Sequence, residues 1–135
     1  MDTLLSVLII TYNHEKYLGM AMESVIRQKT KFHIEIVVAE DHSTDKTRDI
    51  LREFKEKHPD KIKLLFREKN IGLKQNFLDG LEKCSGKYIA LLEGDDYWTD
   101  SGKLQKQVDF LEAHPDFSFC FHNTKVINYD INKEI

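Results

Sequence analysis

The sequence predicts an α/β fold: a doubly wound, mainly parallel sheet with helices on both faces, in three layers. Three observations predict it. Short runs rich in Val, Ile and Leu show little polar alternation, as strands do when both faces are covered. These runs take turns with segments whose apolar residues recur at helical spacing. The loops that follow the strands collect the polar and acidic residues, where open α/β sheets hold their ligands. Strict alternation of the two element types is met by parallel strands joined through right-handed crossovers.

Leu4 to Ile10 is an unbroken apolar run and reads as the first strand. After Thr11-Tyr12-Asn13-His14, Leu18, Ala21, Met22, Val25 and Ile26 share one helical face. Ile34 to Ala39 is a second buried strand. Ser43-Thr44-Asp45 offers capping oxygens to a helix that turns Ile50, Leu51 and Phe54 inward. His58-Pro59 stops that helix, since proline lacks the amide to continue it. Ile62 to Phe66 is the third strand, and Phe77, Leu78 and Leu81 mark the third helix. Gly86 punctuates before a fourth strand, Tyr88 to Leu92. Leu104, Val108 and Leu111 define a fourth helix, closed by His114-Pro115, and Phe117 to Ile127 reads as a fifth strand.

Bulk properties narrow the classes. The 135 residues fit one domain with a real core, and 41% apolar with 32% charged residues is a globular composition. A net charge of −3 gives no basic footprint for nucleic acid. Cys84 and Cys120 lie far apart with no CxxC partner, which fits unbridged thiols in a reducing compartment. No run approaches the roughly 20 apolar residues a membrane span needs, and Met1-Asp2-Thr3 does not open a signal peptide. The expected location is the cytoplasm, with attachment at the inner membrane face left open for a longer protein.

The stretch Ala90-Leu91-Leu92-Glu93-Gly94-Asp95-Asp96 carries the chemistry. An apolar strand runs into three carboxylates in four positions. Anions this close repel, and a cation among them relieves the repulsion. Glu93, Asp95 and Asp96 are hard oxygen ligands suited to Mg²⁺ or Mn²⁺, which keep waters and share their shell with phosphates. The plainer alternative is an acidic turn leading into a helix. Tyr12 either stacks on a nucleobase, worth about 1–3 kcal/mol per base, or packs under the first helix. Asn13 serves as a helix cap or a ligand contact, and Thr11 can offer backbone groups to a base edge. Asp41 either accepts from a base or ribose, or caps the turn before Asp45, and Glu40 beside it points elsewhere. Gly72 permits a positive φ or a close approach to phosphate, and Lys74 lies near enough to neutralise one.

Other chemistries lack their motifs. The six histidines show no zinc-binding spacing. GxSxG, GxxxxGK[ST] and GxGxxG are all missing, which removes the hydrolase elbow, the phosphate loop and the dinucleotide fingerprint.

Together, Ser6-Val7-Leu8-Ile9-Ile10-Thr11-Tyr12-Asn13, Glu40-Asp41-His42-Ser43-Thr44-Asp45-Lys46-Thr47, Asn70-Ile71-Gly72, Gly86-Lys87-Tyr88-Ile89-Ala90 and Glu93-Gly94-Asp95-Asp96 resemble the nucleotide-sugar-binding half of a GT-A glycosyltransferase of inverting family 2. The match runs over nearly the whole chain, in the family's order. The resemblance implies that Tyr12 stacks on the donor base, that Asp41 hydrogen-bonds it, and that Asp95 is the D-x-D carboxylate nearest ribose and metal, with Asp96 close by. Glu93 takes the first acidic place of that motif, a departure from Asp. His42 replaces the commoner Asn or Gly. The loop from Asn70 to Asn76 looks shorter than the family's, so Lys74 has no secure counterpart.

The resemblance also implies an activity. A UDP- or dTDP-sugar binds with Mg²⁺ or Mn²⁺, and an acceptor hydroxyl on a glycan or lipid-linked acceptor takes the sugar with inversion, in cell-surface polysaccharide synthesis. The family's base lies downstream of the D-x-D segment, so the base is expected beyond Ile135. The chain is then a single donor-binding domain over residues 1–135, cut short at its C-terminus. Such a cut would leave an open edge, and Phe117, Phe119 and Phe121 would make an apolar patch prone to self-association. Three other readings stand beside it. A sugar-1-phosphate nucleotidyltransferase would want a Gly-rich basic loop where Thr11-Tyr12-Asn13-His14-Glu15 stands. A receiver domain would want an aspartate where Phe66-Arg67-Glu68 stands. A donor-binding fragment without turnover would keep the site and lack the base.

Overall fold

The structure, a computed structural model, describes residues 4–127. The element order is β1 (Leu5–Thr11), α1 (Leu18–Ile26), β2 (Ile34–Glu40), α2 (Thr47–Lys57), β3 (Ile62–Phe66), α3 (Leu73–Glu82), β4 (Tyr88–Glu93) and α4 (Lys103–Ala113). The four strands form one sheet in the order β3-β2-β1-β4, and every pairing is parallel. This is the doubly wound α/β architecture that the alternation predicts.

Residue parity builds the layers. Val7, Ile9, Ile36, Val38 and Leu92 face one side, where they pack with Leu18, Met22 and Val25 of α1, Leu51 of α2, and Leu104 and Val108 of α4. Leu8, Val37 and Ala39 face the other side, against Phe77 and Leu81 of α3. Each fully buried aliphatic side chain contributes about 1.5–3 kcal/mol, so the central strands β1 and β2, buried on both faces, anchor the domain. Gly80 explains the closeness of α3. A Cβ there would stand 2.8 Å from Leu8 Cδ1 and 3.3 Å from the Ala39 Cβ. Asn76, fully buried on the same helix, donates from Nδ2 to the Ala39 carbonyl at 2.9 Å.

Leu78 lies on α3 as expected and is exposed, while the helix buries Asn76 and Gly80 against the sheet. One expectation is corrected. Residues 117–127 form no strand. Their alternating phenylalanines suit a one-sided strand, but a strand exists only with a hydrogen-bonding neighbour, and no ladder in the described sheet takes this segment. Phe119 and Phe121 are 73% and 85% exposed.

Two features position the site. The strand exits are level: Thr11 pairs with Glu40, and Ile10 with Glu93. The order also reverses at β1, which lies between β2 and β4. In open parallel sheets the ligand crevice forms outside the strand ends at such a reversal. α3 covers β1 and β2 but leaves β4 bare on that face, where Ile89 and Leu91 are 41% and 53% exposed. No helix among the described residues is long and apolar enough to cross a membrane.

Candidate functional site

The exits of β1 and β2 are sewn together by polar side chains. Asn13 adopts a left-handed backbone, φ 53°, which Asn tolerates better than most residues. Its Oδ1 accepts the Thr44 amide at 2.8 Å, and its own amide donates to Ser43 Oγ at 2.9 Å. Asp45 Oδ2 accepts the Glu15 amide at 3.1 Å, and Glu15 Oε2 accepts the Lys46 amide at 3.0 Å. Asn13 therefore does not cap α1, which begins after Tyr17 with no side-chain cap. It ties the two loops instead. Tyr12, in the loop after β1, is 44% exposed.

Asp41 is buried and faces the next loop. Its two carboxylate oxygens accept the amides of Ile71 at 2.7 Å and Gly72 at 2.9 Å, and its carbonyl accepts from Asn70 Nδ2 at 3.0 Å. Asp41 and Gly72 are thus brought together, which the sequence reading did not foresee. Gly72 holds φ 88° and ψ 158°, a region open essentially to glycine alone. Lys74 follows at the start of α3 and is exposed. Glu40 points away, as expected. It is fully buried, accepts the Ser43 amide at 2.6 Å and pairs with Arg48, whose guanidinium lies 4.8 Å from the Phe66 ring centroid.

At the exit of β4, Glu93, Asp95 and Asp96 stand exposed with one ligand oxygen from each lying within 4.8 Å of the others. The Asp96 amide donates to the Glu93 carbonyl at 3.0 Å and closes the turn. Partial desolvation of its carboxyl pushes Asp96 above its usual range although the residue is exposed, and the Asp95 charge adds to that, against a smaller opposing pull from His14. Three convergent, exposed carboxylates with one resisting ionisation are a donor set that fits a hard divalent cation with open positions for water or phosphate. Among the described residues this is the only such acidic or His/Cys cluster.

An open groove of about 1290 Å³ runs from this turn over the bare face of β4. It takes in Lys74, Trp98 and Lys103 as well as the carboxylates. Tyr12 and Asp41 do not line it. It follows the uncovered sheet face, whereas those two residues sit along the strand ends. Neighbouring strands are about 4.8 Å apart, so the β2 and β4 exits stand about 10 Å apart with Tyr12 between them, a span that suits a nucleoside diphosphate.

Sequence reasoning missed His14, Trp98 and Lys103. Trp98, two residues after Asp96, is buried in the main core, and the Lys103 ammonium lies 4.3 Å from its ring centroid, with burial lowering that lysine's pKa. No periodicity links positions 98 and 103. His14 belongs to no sequence motif, yet it sits beside Thr11 and Asp95, with Nδ1 3.0 Å from Thr11 Oγ1 and Nε2 3.9 Å from Asp95 Oδ2.

Comparison with known proteins converges on one family. The model for Glycosyl transferase family 2 matches residues 6–133. An uncharacterised protein of Mycobacterium tuberculosis is 42% identical over 130 residues, 96% of this chain and 38% of that protein. The Escherichia coli UDP-Glc:alpha-D-GlcNAc-diphosphoundecaprenol beta-1,3-glucosyltransferase WfgD is 33% identical over 127 residues, 94% of this chain and 48% of that enzyme. Among solved structures, residues 1–349 of Staphylococcus aureus TarS in complex with UDP superpose with a TM-score of 0.73 at 28% identity, covering 84% of this chain and 33% of that one; the UDP-GlcNAc complex gives the same score at 27% identity. The chain thus spans less than half the length of these relatives. With its parallel sheet, level strand exits and acidic turn after β4, the chain belongs to glycosyl transferase family 2, with the GT-A arrangement of its structural neighbours.

Proposed function

We propose that this chain is the donor-binding unit, residues 1–135, of an inverting, metal-dependent glycosyltransferase that acts on the cytoplasmic side in building a cell-surface glycan. The observation that carries the reading is the cluster of Glu93, Asp95 and Asp96 at the exit of β4, two strand spacings from Asp41 and across Tyr12. The donor is a nucleoside-diphosphate sugar, with uridine or thymidine as the base. Support for a uridine donor comes from TarS, solved with UDP and UDP-GlcNAc, and from WfgD, named for UDP-Glc. The lipid-linked acceptor in WfgD's name supports a glycan or lipid-linked acceptor here.

Each residue then has a task. Tyr12 stacks on the base. Thr11 and Asn13 shape the backbone at its edge. Asp41 holds the Asn70–Gly72 loop and presents its remaining lone pairs to the nucleoside. Gly72 lets that backbone approach the ligand, and Lys74 neutralises phosphate. Glu93, Asp95 and Asp96 would hold Mg²⁺ or Mn²⁺. When bound, the cation supplies Lewis-acid offset of the charge on the departing nucleoside diphosphate. The acceptor oxygen forms its bond to the anomeric carbon on the face opposite the diphosphate, whose bond breaks, and the acceptor proton passes to a carboxylate base. That base is assigned to the part of the enzyme that follows this unit. The loop Thr11-Tyr12-Asn13-His14-Glu15 lacks the glycines and cations a nucleotidyltransferase would use, which disfavours that alternative.

Calorimetric titration of UDP with and without Mn²⁺ tests the reading. Binding that requires Mn²⁺ and is lost in Asp95→Ala supports it. UDP binding indifferent to both overturns it. Tyr12→Ala should weaken nucleoside affinity and leave the metal requirement intact.

A further inference from the structure

We infer that Thr11 and His14 form a rest on which the acidic turn is seated, and that His14 is the positioning residue that fixes where Asp95 presents its carboxylate. The inference rests on the metal reading above and adds to it a residue that binds neither nucleotide nor metal directly.

Four observations meet at this point. The turn has no room to move toward β1. A Cβ on Gly94 would stand 2.6 Å from Thr11 Oγ1, 2.8 Å from Thr11 Cβ and 2.8 Å from His14 Nδ1. The backbone between Glu93 and Asp95 therefore lies directly on the Thr11–His14 pair. The pair is itself rigid. Thr11 is fully buried, and its hydroxyl and His14 Nδ1 are 3.0 Å apart. His14 is held by its backbone from two sides: its amide donates to Thr47 Oγ1 at 3.0 Å, and its carbonyl accepts the amides of Tyr17 and Leu18 at 3.0 and 2.9 Å. Finally, the Gly94 amide donates to the Ile10 carbonyl at 2.9 Å, fixing the turn to the same strand that carries Thr11.

With Nδ1 turned to Thr11, the ring presents Nε2 to Asp95 Oδ2 at 3.9 Å. That is beyond a hydrogen bond and within reach of a small rotation of the Asp95 side chain that leaves the turn on its seat. Asp95 thus keeps its lone pairs free while its direction is limited by the imidazole. Outer groups hydrogen-bonded to a ligating carboxylate typically change metal affinity about 10–100-fold when removed, and the longer His14–Asp95 contact places His14 at the lower end of that range. The arrangement also gives Gly94 a reason: any side chain there would push the turn off its seat.

The test measures Mn²⁺ uptake by electron paramagnetic resonance and calorimetry in the presence of UDP, without turnover. His14→Phe keeps the ring and removes both nitrogens; His14→Gln restores a polar group near Nε2. Thr11→Val removes only the hydroxyl that orients the ring and serves as the second variant should His14→Phe fail to fold. The expected result is roughly tenfold weaker Mn²⁺ affinity and an altered manganese spectrum in His14→Phe, a smaller loss in Thr11→Val, and substantial recovery in His14→Gln. Wild-type affinity and spectrum in both His14→Phe and Thr11→Val overturn the inference, and so does His14→Gln behaving no better than His14→Phe. The two readings separate cleanly. If the wild-type chain takes up no Mn²⁺ with UDP, the metal reading falls and takes this one with it. If it does, and Asp95→Ala does not while the His14 variants match wild type, only the positioning role is lost.

Discussion

Asp41 gives the sharpest energetic prediction. Among the described residues its buried carboxylate is the acceptor for both the Ile71 and Gly72 amides, at 2.7 and 2.9 Å. Hydrogen bonds to a charged group contribute about 1.5–3 kcal/mol each, and a buried donor left without a partner costs about 1–3 kcal/mol. Ile71 and Gly72 are half-buried, so water can rescue part of that loss. Asp41→Ala should therefore lower stability by about 2–4 kcal/mol. Asp41→Asn keeps one oxygen but turns an amide donor toward the other N–H, so about 1–2 kcal/mol is expected. The assay is urea unfolding followed by circular dichroism, reading the midpoint with the slope unchanged. A loss below about 0.5 kcal/mol in Asp41→Ala, within the range of ordinary surface changes, would refute the reasoning and show that the loop holds its own shape.

Further predictions follow from single features. Gly72→Ala forces a residue with a Cβ into φ 88°, ψ 158°, and should cost about 1–3 kcal/mol in the same assay although nothing lies within 4 Å of the added carbon. The Asp96 carboxyl is raised above 3.8, chiefly by burial and then by Asp95. Its ionised form is thus disfavoured by folding, so stability should fall as pH climbs from 3.8 through the folded-state value. Asp96→Asn should flatten that fall, and Mn²⁺ affinity in the wild type should rise over the same window as the ion displaces the proton; a stability profile identical in both proteins would contradict this. Among the described residues β4 is an edge strand with Leu91 53% exposed on its open face, which should let copies associate. Sedimentation should show mass rising with concentration and Leu91→Lys suppressing the rise, whereas a wild-type monomer throughout would contradict it.

The sequence made the sheet legible because parallel strands buried on both faces leave unbroken apolar runs, as at Leu5–Thr11 and Ile34–Glu40. The helices followed from their apolar stripes. Phe117–Ile127 misled because alternation reports what a segment could bury, while pairing depends on a partner strand elsewhere. The seating of α3 was not legible because the helix approaches the sheet through Gly80 and Asn76, small and polar residues that carry no hydrophobic signal. The candidate residues could be named because strand exits in this architecture share one edge. Their contacts could not. Asp41 reaches residues 30 and 31 positions away, and His14 reaches across to Asp95, partners that appear only once the register of β1 with β2 and β4 is set.

The central claim is that the β4 turn grips a cation and, through it, a pyrophosphate. Diffraction at the manganese edge from crystals soaked with Mn²⁺ and UDP tests it most directly. The account predicts one anomalous peak within coordinating distance of Asp95 and its acidic neighbours, with the diphosphate in the same shell and the base against Tyr12. A nucleotide bound with no anomalous peak at that turn, or a manganese ion bound at some other place, would contradict it.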